Sequence, residues 1–368
     1  MAEARSWLEI DLGAVVANAQ ALARRAAPAR LCAVVKSNAY GHGLVHVARA
    51  LAGSDLDGLR FGVFAAGEAF ALREAGIEHP IFVVGPVADD DLAAAAQARL
   101  ELAILDEGDV DRVAARRIGA HVKIDTGTNR FGVARAQAAG TLRRCAELGV
   151  GVVGLYSHLA NAEDLDKEFT LAQLAALKKV AAEYPGTKAP ALHIAASAAA
   201  MMWPETRLDM VRCGIALYGE WPSPEVRAAM AGDAPAFALR PALRWFAPIA
   251  QIRDVGKGDS VGYGCAFVPE RDSRIAVLPL GYADGLPRAA GNGRMRVRIG
   301  EARAPIVGRV CMNACMLDVS DVRSSPARQT VAELDIEDLA RAAGTINYEI
   351  LARLPGHLER RYQGRIAT

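Results

Sequence analysis

The sequence lacks an excess of charge of either sign and also lacks long apolar runs. Lysine and arginine number 43 and aspartate and glutamate 42, without a basic block or an acidic tail, so charge gives no indication of binding to nucleic acid or to an anionic membrane surface. Alanine-rich stretches such as 191–203 are interrupted by His193 and Ser197 and are too short to span a bilayer. The first ten residues mix charged and apolar side chains, unlike a signal peptide. We therefore expect a cytoplasmic protein with no membrane and no nucleic-acid partner.

Cysteine is sparse. The six cysteines are scattered without a disulfide framework, a pattern typical of a reducing compartment. Cys311 and Cys315 form a CxxxC pair, but no second pair of ligands accompanies them at the spacing of a zinc site. We interpret them as ordinary buried thiols and expect no metal site.

The length and the periodicity of the chain predict a parallel barrel. With 368 residues and 52% apolar content, the chain is large enough for one large domain and a smaller one. Eight β-branched runs alternate with helical segments, and the helix predicted at 167–182 has apolar residues on one face. The strands are predicted near 31–36, 60–64, 80–84, 101–105, 121–125, 151–157, 191–195 and 208–212. Eight such units favour a closed barrel over the competing doubly wound sheet, because closure removes both edges.

The sequence changes character after about residue 235. Helical periodicity fades there, and Val-, Ile- and Arg-rich runs are separated by Gly and Pro turns. We therefore predict an α/β protein with an N-terminal (β/α)8 TIM-like barrel over 1–235 and a C-terminal mainly-β domain over 236–368.

Two groups of residues at predicted strand ends could carry chemistry. Lys36 ends the first apolar strand, where burial lowers the pKa of an amine and makes it a nucleophile for carbonyl compounds. The same pattern also fits a lysine that reaches solvent at the barrel rim. Ser197 follows strand seven, and Gly214 and Ile215 follow strand eight, where barrels commonly bind phosphate, although Ser197 could be only a helix cap. A lysine facing a phosphate site is the arrangement that pyridoxal phosphate requires.

Motifs along almost the whole chain resemble those of the alanine racemase family, pyridoxal-phosphate enzymes built on a barrel. The most specific is the eleven-residue segment 33–43, AVVKSNAYGHG, which looks like the family's cofactor-lysine signature. Further matching segments follow in the expected order at 123–132, 156–160, 193–197, 210–219, 261–264, 281–285, 308–313 and 346–349.

The resemblance implies a role for each cofactor residue. Lys36 would bind pyridoxal 5'-phosphate as a Schiff base, and Arg212 would face the pyridine nitrogen. Because a guanidinium has no acceptor, that nitrogen would remain unprotonated, which favours simple reprotonation of the α-carbon over transamination. The phosphate would be held by Tyr40, Ser197, Gly214, Ile215 and Tyr348.

The resemblance also implies two catalytic bases, Lys36 and Tyr263, on opposite faces of the substrate. Tyr263 would come from the other subunit of a homodimer with shared active sites, and His158 would link it to Arg212. Arg130 and Met312 would bind the substrate, and a carbamate on Lys123 would orient Arg130. The supporting residues would be Lys123, His193, Tyr282 and Asn313.

The implied activity is the interconversion of L-alanine and D-alanine, supplying D-alanine for peptidoglycan. Two departures from the family pattern leave the substrate range open: Asn313 stands where aspartate is usual, and Thr128-Asn129 replace the common pair before Arg130. A serine or broad-specificity racemase is an alternative. A basic amino-acid decarboxylase or a non-enzymatic cofactor carrier would share the barrel, but these are expected to lack the Tyr263 segment.

Overall fold

The computed structural model describes residues 5–364. Residues 1–4 and 365–368 lie outside this range. The two predicted domains include these residues, and the N-terminal segment that differs from a signal peptide includes residues 1–4. The chain forms two compact units, one comprising Leu12–Pro241 and the other the residues up to Asp11 together with Ala242–Gly364. The first strand groups with Ala242–Gly364 and not with the residues that follow it in sequence.

The strands are β1 (Trp7–Asp11), β2 (Arg30–Val34), β3 (Arg60–Val63), β4 (Ile81–Val83), β5 (Glu101–Ile104), β6 (Gly119–Asp125), β7 (Val133–Ala134), β8 (Val152–Tyr156), β9 (Ala191–His193), β10 (Met210–Cys213), β11 (Leu243–Pro248), β12 (Gln251–Val255), β13 (Ser273–Leu278), β14 (Arg296–Ile299), β15 (Ala302–Val307), β16 (Cys315–Asp318), β17 (Val331–Leu334) and β18 (Glu359–Gln363). The helical segments are α1 (Leu12–Ala26), α2 (Lys36–Tyr40), α3 (Leu44–Ala52), α4 (Ala66–Glu74), α5 (Leu92–Gln97), α6 (Gly108–Ala114), α7 (Arg135–Glu147), α8 (Glu168–Ala182), α9 (Ser197–Met202), α10 (Pro224–Asp233), α11 (Ile336–Ala343) and α12 (Asn347–Ala352).

The unit Leu12–Pro241 is a nearly closed parallel barrel. Its strand order is β10-β2-β3-β4-β5-β6-β8-β9, and two backbone hydrogen bonds join the ends, from the Asp209 N–H to the Leu192 carbonyl and from the Arg212 N–H to the Ala195 carbonyl, each 3.0 Å. All eight barrel strands begin and end within two residues of their predicted limits. The predicted barrel is confirmed.

The segment α2 is a left-handed turn rather than a regular helix. Ser37, Asn38, Ala39 and Tyr40 have φ values of 51–55° in succession, although none is glycine. Such a conformation costs roughly 1–2 kcal/mol per residue, so the surrounding structure must hold it in place. The Glu68 carboxylate accepts a hydrogen bond from the Ser37 N–H at 2.6 Å, and the Asn38 side chain accepts one from the Leu44 N–H at 2.9 Å. Lys36 directly precedes these four residues and lies two residues beyond β2.

The second unit is mainly β, as predicted. Its nine strands form a sheet in the order β12-β13-β16-β15-β14-β17-β11-β1-β18. The N-terminal strand β1 is antiparallel to β11 and parallel to β18, and its Leu8 lies opposite the fully buried Trp245. In residues 5–364, no helix has both the length and the apolar character needed to cross a membrane.

Candidate active site

Lys36 lies at the barrel rim and is half-buried. Burial lowers the pKa of its amine, the positive charge of Arg130 lowers it further, and Glu68 opposes the shift. The neutral amine is therefore more abundant at neutral pH than for an exposed lysine, and only the neutral amine attacks a carbonyl.

Ser197, Gly214 and Tyr40 meet at a second point of the barrel. The Ser197 hydroxyl, at the start of α9, accepts hydrogen bonds from the Gly214 N–H at 3.1 Å and the Ala216 N–H at 3.5 Å. A Cβ placed on Gly214 would lie only 2.4 Å from the Tyr40 hydroxyl, so Tyr40 approaches the backbone there as closely as glycine allows. Ile215 begins a short 3₁₀ helix, Ile215–Tyr218, whose first N–H groups have no carbonyl within the helix to bind. The two hydroxyls and the backbone N–H of Ile215 form a donor set suited to a phosphate, beside the Gly214 and Ala216 N–H groups that donate to Ser197.

Arg212 is buried at the end of β10 and is surrounded by neutral acceptors. One of its terminal nitrogens donates to His193 Nδ1 at 2.8 Å, and the other donates to the carbonyls of Ser157 at 2.8 Å and Ile194 at 3.2 Å. The second nitrogen also lies 3.3 Å from His158 Nδ1. Because a guanidinium only donates, both Nδ1 atoms must be unprotonated, which assigns the imidazole proton to Nε2 in each histidine.

His158 is neutral in the folded protein. Burial, followed by the positive charges of Arg212 and Arg130, lowers its pKa to about 3. Its Nδ1 accepts from Arg212, so its Nε2–H is a donor. The side chain therefore transmits the electrostatic influence of a buried cation without becoming charged itself.

Lys123 lies on β6, is 5% exposed, and has its amine 5.6 Å from the centre of the Phe131 ring. Burial lowers the pKa of this amine to about 8, with further contributions from Arg130 and Arg212. In the described part of the chain, no carboxylate forms an ion pair with it. Lys123 and the exposed Arg130 therefore form a cationic pair suited to an anionic group.

A series of hydrogen-bonded polar side chains runs through the barrel from Arg212 and includes residues that were not predicted to belong to the site. His193 Nε2 lies 2.9 Å from His121 Nδ1, and His121 Nε2 lies 3.0 Å from a carboxylate oxygen of Glu101. Glu101 also pairs with Arg60. Sequence reasoning identified His193 but missed Glu101, His121 and Arg60. A signal was present, since Arg60 and Glu101 each begin a strand that is otherwise apolar, and His121 follows the small residues that begin β6.

The remaining predicted residues lie on the mainly-β unit. Tyr263 is 71% exposed on a short turn between Gly262 and Gly264, which have φ values of 74° and 68°. Two hydrogen bonds, Tyr282 N–H to the Cys311 carbonyl at 3.0 Å and Ala283 N–H to the Met312 carbonyl at 2.9 Å, join two loops of this unit. These loops bring Tyr282, Met312 and the exposed Asn313 together, and Tyr348 lies in the first turn of α12.

The structure thus distributes the predicted site over both units. The barrel unit carries Lys36, Tyr40, Lys123, Arg130, His158, His193, Ser197, Arg212, Gly214 and Ile215. The mainly-β unit carries Tyr263, Tyr282, Met312, Asn313 and Tyr348.

The barrel residues fit pyridoxal phosphate. An amine of lowered pKa, a phosphate-sized donor set and a buried guanidinium without a carboxylate contact correspond to the aldehyde, the phosphate and the unprotonated ring nitrogen of that cofactor. The close approach of Tyr40 to Gly214 supports the same assignment.

Comparisons with known proteins identify the family of the chain. Residues 10–222 match the family model for the alanine racemase N-terminal domain, and residues 242–362 match the model for the C-terminal domain. The chain is 36% identical over 374 residues to an alanine racemase of Desulforamulus reducens, covering 97% of this chain and 99% of that protein.

Solved structures give the same result. The chain is similar to the alanine racemase of Streptomyces lavendulae, with a TM-score of 0.91, 33% identity and coverage of 99% and 98% of the two chains. It is also similar to the alanine racemase of Bartonella henselae, described with covalently bound pyridoxal phosphate, with a TM-score of 0.86, 28% identity and coverage of 97% and 99%.

Proposed function

The chain belongs to the alanine racemase family, and we propose that it interconverts L-alanine and D-alanine with pyridoxal 5'-phosphate carried on Lys36. The observation that carries the proposal is the grouping of a lysine of lowered pKa, the donor set of Ser197, Gly214 and Tyr40, and the buried Arg212 within one barrel. The enzyme would act in the cytoplasm, and the D-alanine that it forms would be used for peptidoglycan.

The barrel residues would bind and orient the cofactor. Ser197, Tyr40 and the backbone at Gly214 and Ile215 would hold the phosphate, and the family resemblance implies Tyr348 as a further phosphate ligand. Arg212 would donate to the pyridine nitrogen and, because a guanidinium has no acceptor, would leave that nitrogen unprotonated. When bound, the cofactor withdraws electrons from the α-carbon of the attached amino acid and so makes its proton acidic.

Two bases would exchange that proton on opposite faces. Lys36 Nζ removes or delivers it on one face, and the hydroxyl of Tyr263 of the partner subunit does so on the other. The Nε2–H of His158 donates to the Tyr263 oxygen, which stabilises the phenolate and lowers the barrier to proton transfer. A homodimer is required, because each active site then takes its second base from the neighbouring chain.

Arg130 would bind the substrate carboxylate. Met312, Tyr282 and Asn313 of the partner subunit would form the entrance for a small side chain. The neutral amine of Lys123 can add to carbon dioxide: the nitrogen bonds to the carbon, and one N–H proton passes to solvent. The resulting carbamate is an anion that can pair with Arg130 and hold it in place. Its formation at neutral pH is consistent with a Lys123 pKa of about 8.

Paired variants test the cofactor role and the proton-transfer role separately. Lys36→Ala should lose both racemisation and the visible absorbance of the lysine-bound cofactor, whereas the exposed Lys179→Ala should keep both. Tyr263→Phe should keep the absorbance but lose racemisation by at least about 100-fold, and Tyr184→Phe should be unaffected.

The same assays decide among alternatives. Turnover should be measured with both enantiomers of alanine and of serine, since equal rates on both would indicate a broad-specificity racemase. Cofactor absorbance without turnover of any amino acid would indicate a carrier protein. Full activity of a diluted, monomeric protein would contradict the shared active site.

A further inference from the structure

A chain of hydrogen bonds crosses the barrel interior from Arg212 to Arg60. It runs from Arg212 through His193 (2.8 Å) and His121 (2.9 Å) to Glu101 (3.0 Å), which accepts from Arg60 at 2.5 Å. These five residues lie on β10, β9, β6, β5 and β3, so the series of hydrogen bonds links strands on different sides of the barrel.

A donor at one end, Arg212, and an acceptor at the other, the Glu101 carboxylate, fix the direction of every hydrogen bond between them. Arg212 only donates, so His193 Nδ1 accepts and His193 Nε2 carries the proton that is donated to His121 Nδ1. His121 Nε2 must then carry a proton, which it donates to Glu101. Burial lowers the pKa of both histidines, so each ring holds one proton and the Glu101 carboxylate is the final acceptor.

We propose that Glu101 is a positioning residue for Arg212, acting through the tautomers of His121 and His193. The inference rests on the proposed function in one respect only, that Arg212 binds the cofactor ring. An ionised carboxylate that can only accept forces both imidazoles to present Nδ1 as an acceptor, and this holds the guanidinium in one orientation.

Packing on the imidazole rings of His121 and His193 restricts their rotation, so Glu101 can act on them only through the choice of tautomer. Phe82 packs on His121 at 4.1 Å between ring centroids, and Tyr156 stacks on His193 at 4.9 Å with an interplanar angle of 4°. Both rings are therefore confined, and a wrong tautomer cannot be relieved by rotation of the side chain. Two N–H groups would then face each other in a buried site, which is costly.

Gly154 makes room for the central bond of the chain. The pairing of β6 with β8 shifts after Ala120, and this shift places His121 opposite Gly154. A Cβ on Gly154 would lie 2.4 Å from His121 Nδ1 and 2.9 Å from His193 Nε2. Gly154→Ala would therefore disturb the contact between the two rings without removing any polar group.

Glu101→Gln is the decisive variant because it should reverse the chain. Arg60 contacts both carboxylate oxygens of Glu101, one of which His121 Nε2 also contacts, so an amide N–H at either position faces Arg60. Arg60 only donates, whereas His121 can become an acceptor, so we expect the amide N–H groups to turn toward His121. His121 Nε2 then becomes an acceptor, the proton moves to its Nδ1, and His193 in turn places a proton on the nitrogen facing Arg212. The matched control is Glu205→Gln, which removes a carboxylate paired with Lys167 in the same unit.

Two readouts separate positioning from plain structural support. The first is the ¹⁵N NMR signal of selectively labelled histidine rings in apoprotein, which reports the tautomer directly and does not depend on racemase activity. The second is the dissociation constant of pyridoxal phosphate, measured by titration of the visible absorbance. Wild type and Glu205→Gln should show the Nε2–H tautomer for His121 and His193. Glu101→Gln should show Nδ1–H and bind the cofactor about tenfold more weakly.

The proposal is overturned if Glu101→Gln lowers the melting temperature but leaves the tautomers unchanged, or if the tautomers change and cofactor affinity does not. If Glu101→Gln does not fold, Gly154→Ala decides instead: unchanged affinity there counts against the proposal, and a loss of about tenfold supports it. A wild-type protein that does not bind pyridoxal phosphate would refute the proposed function, and its tautomers would still show whether the directional chain exists.

Discussion

Substitution of Gly214 by alanine should weaken cofactor binding without unfolding the barrel. The new Cβ would lie 2.4 Å from the Tyr40 hydroxyl oxygen and 2.9 Å from the ring carbon that bears it. An ordinary contact needs at least 3.4 Å, so the hydroxyl or the backbone must move by about 1 Å. Such a shift separates Tyr40 from Ser197, the other hydroxyl of the proposed phosphate site.

The size of the expected loss of cofactor affinity depends on how far the Tyr40 side chain can move. Its side chain is 8% exposed, and its ring packs on Tyr218 with centroids 5.0 Å apart. Extra methyl groups in a packed interior typically cost about 1–3 kcal/mol. If that cost falls on the cofactor-bound state, the dissociation constant of pyridoxal phosphate rises by about 5- to 150-fold.

The assay is an equilibrium titration of apoprotein with pyridoxal phosphate, followed by visible absorbance, together with a melting curve for each variant. Gly140→Ala is the matched control, because Gly140 lies inside α7 and a Cβ there meets no atom within 4 Å. Alanine should stabilise that helix by about 0.5–1 kcal/mol and leave the dissociation constant unchanged.

A double-mutant cycle tests the cause. In a Tyr40→Phe background the closest clash disappears with the hydroxyl, so Gly214→Ala should then weaken binding less than it does in the wild type. Wild-type affinity in Gly214→Ala would refute the reasoning. Equal effects in both backgrounds would show that Tyr40 does not transmit the change.

Three further predictions concern protonation. Because folded His158 has a pKa of about 3 and an unfolded histidine about 6.5, the unfolded chain binds the extra proton between these values, so the free energy of unfolding should fall as pH drops through this window. Between pH 5 and pH 6 this fall in the free energy of unfolding, measured by urea titration, should be smaller in His158→Gln by about 1.2 kcal/mol, and equal falls in the two proteins would contradict the assignment. Burial raises the thiol pKa of Cys32, Cys213 and Cys315 to about 12, so iodoacetamide at pH 8 should modify them only in urea, and peptide masses showing rapid native labelling would count against this. Native mass spectrometry should show one added carbon dioxide that disappears on acidification and in Lys123→Arg; an unmodified wild-type mass would exclude the carbamate.

The barrel strands were predictable because each is a short apolar run between helices. In β4 all three residues, Ile81 to Val83, are buried, and such continuous burial is typical of parallel strands covered on both faces. Lys36 was expected at a strand end and lies two residues beyond β2, because the backbone enters the left-handed turn there. Local residue types gave no indication of that turn.

Other features depend on contacts between distant parts of the chain. The pairing of β1 with β18 joins residues about 350 positions apart, and no local pattern specifies such a pairing. Glu101 and His121 lie 20 positions apart on different strands, and only the assembled barrel brings them to His193. The motif resemblance supplied roles for His158 and Tyr263 that burial patterns alone could not assign.

The position of β1 has a consequence for the order of biosynthesis. Its antiparallel neighbour begins at Leu243, 232 positions after Asp11, and β18 follows later still. Because synthesis proceeds from the N-terminus, every barrel strand is made before β11 and β18, and Trp7–Asp11 has neither pairing strand during that time. Newly made chains are open to edge-to-edge association through this segment until the last strand leaves the ribosome.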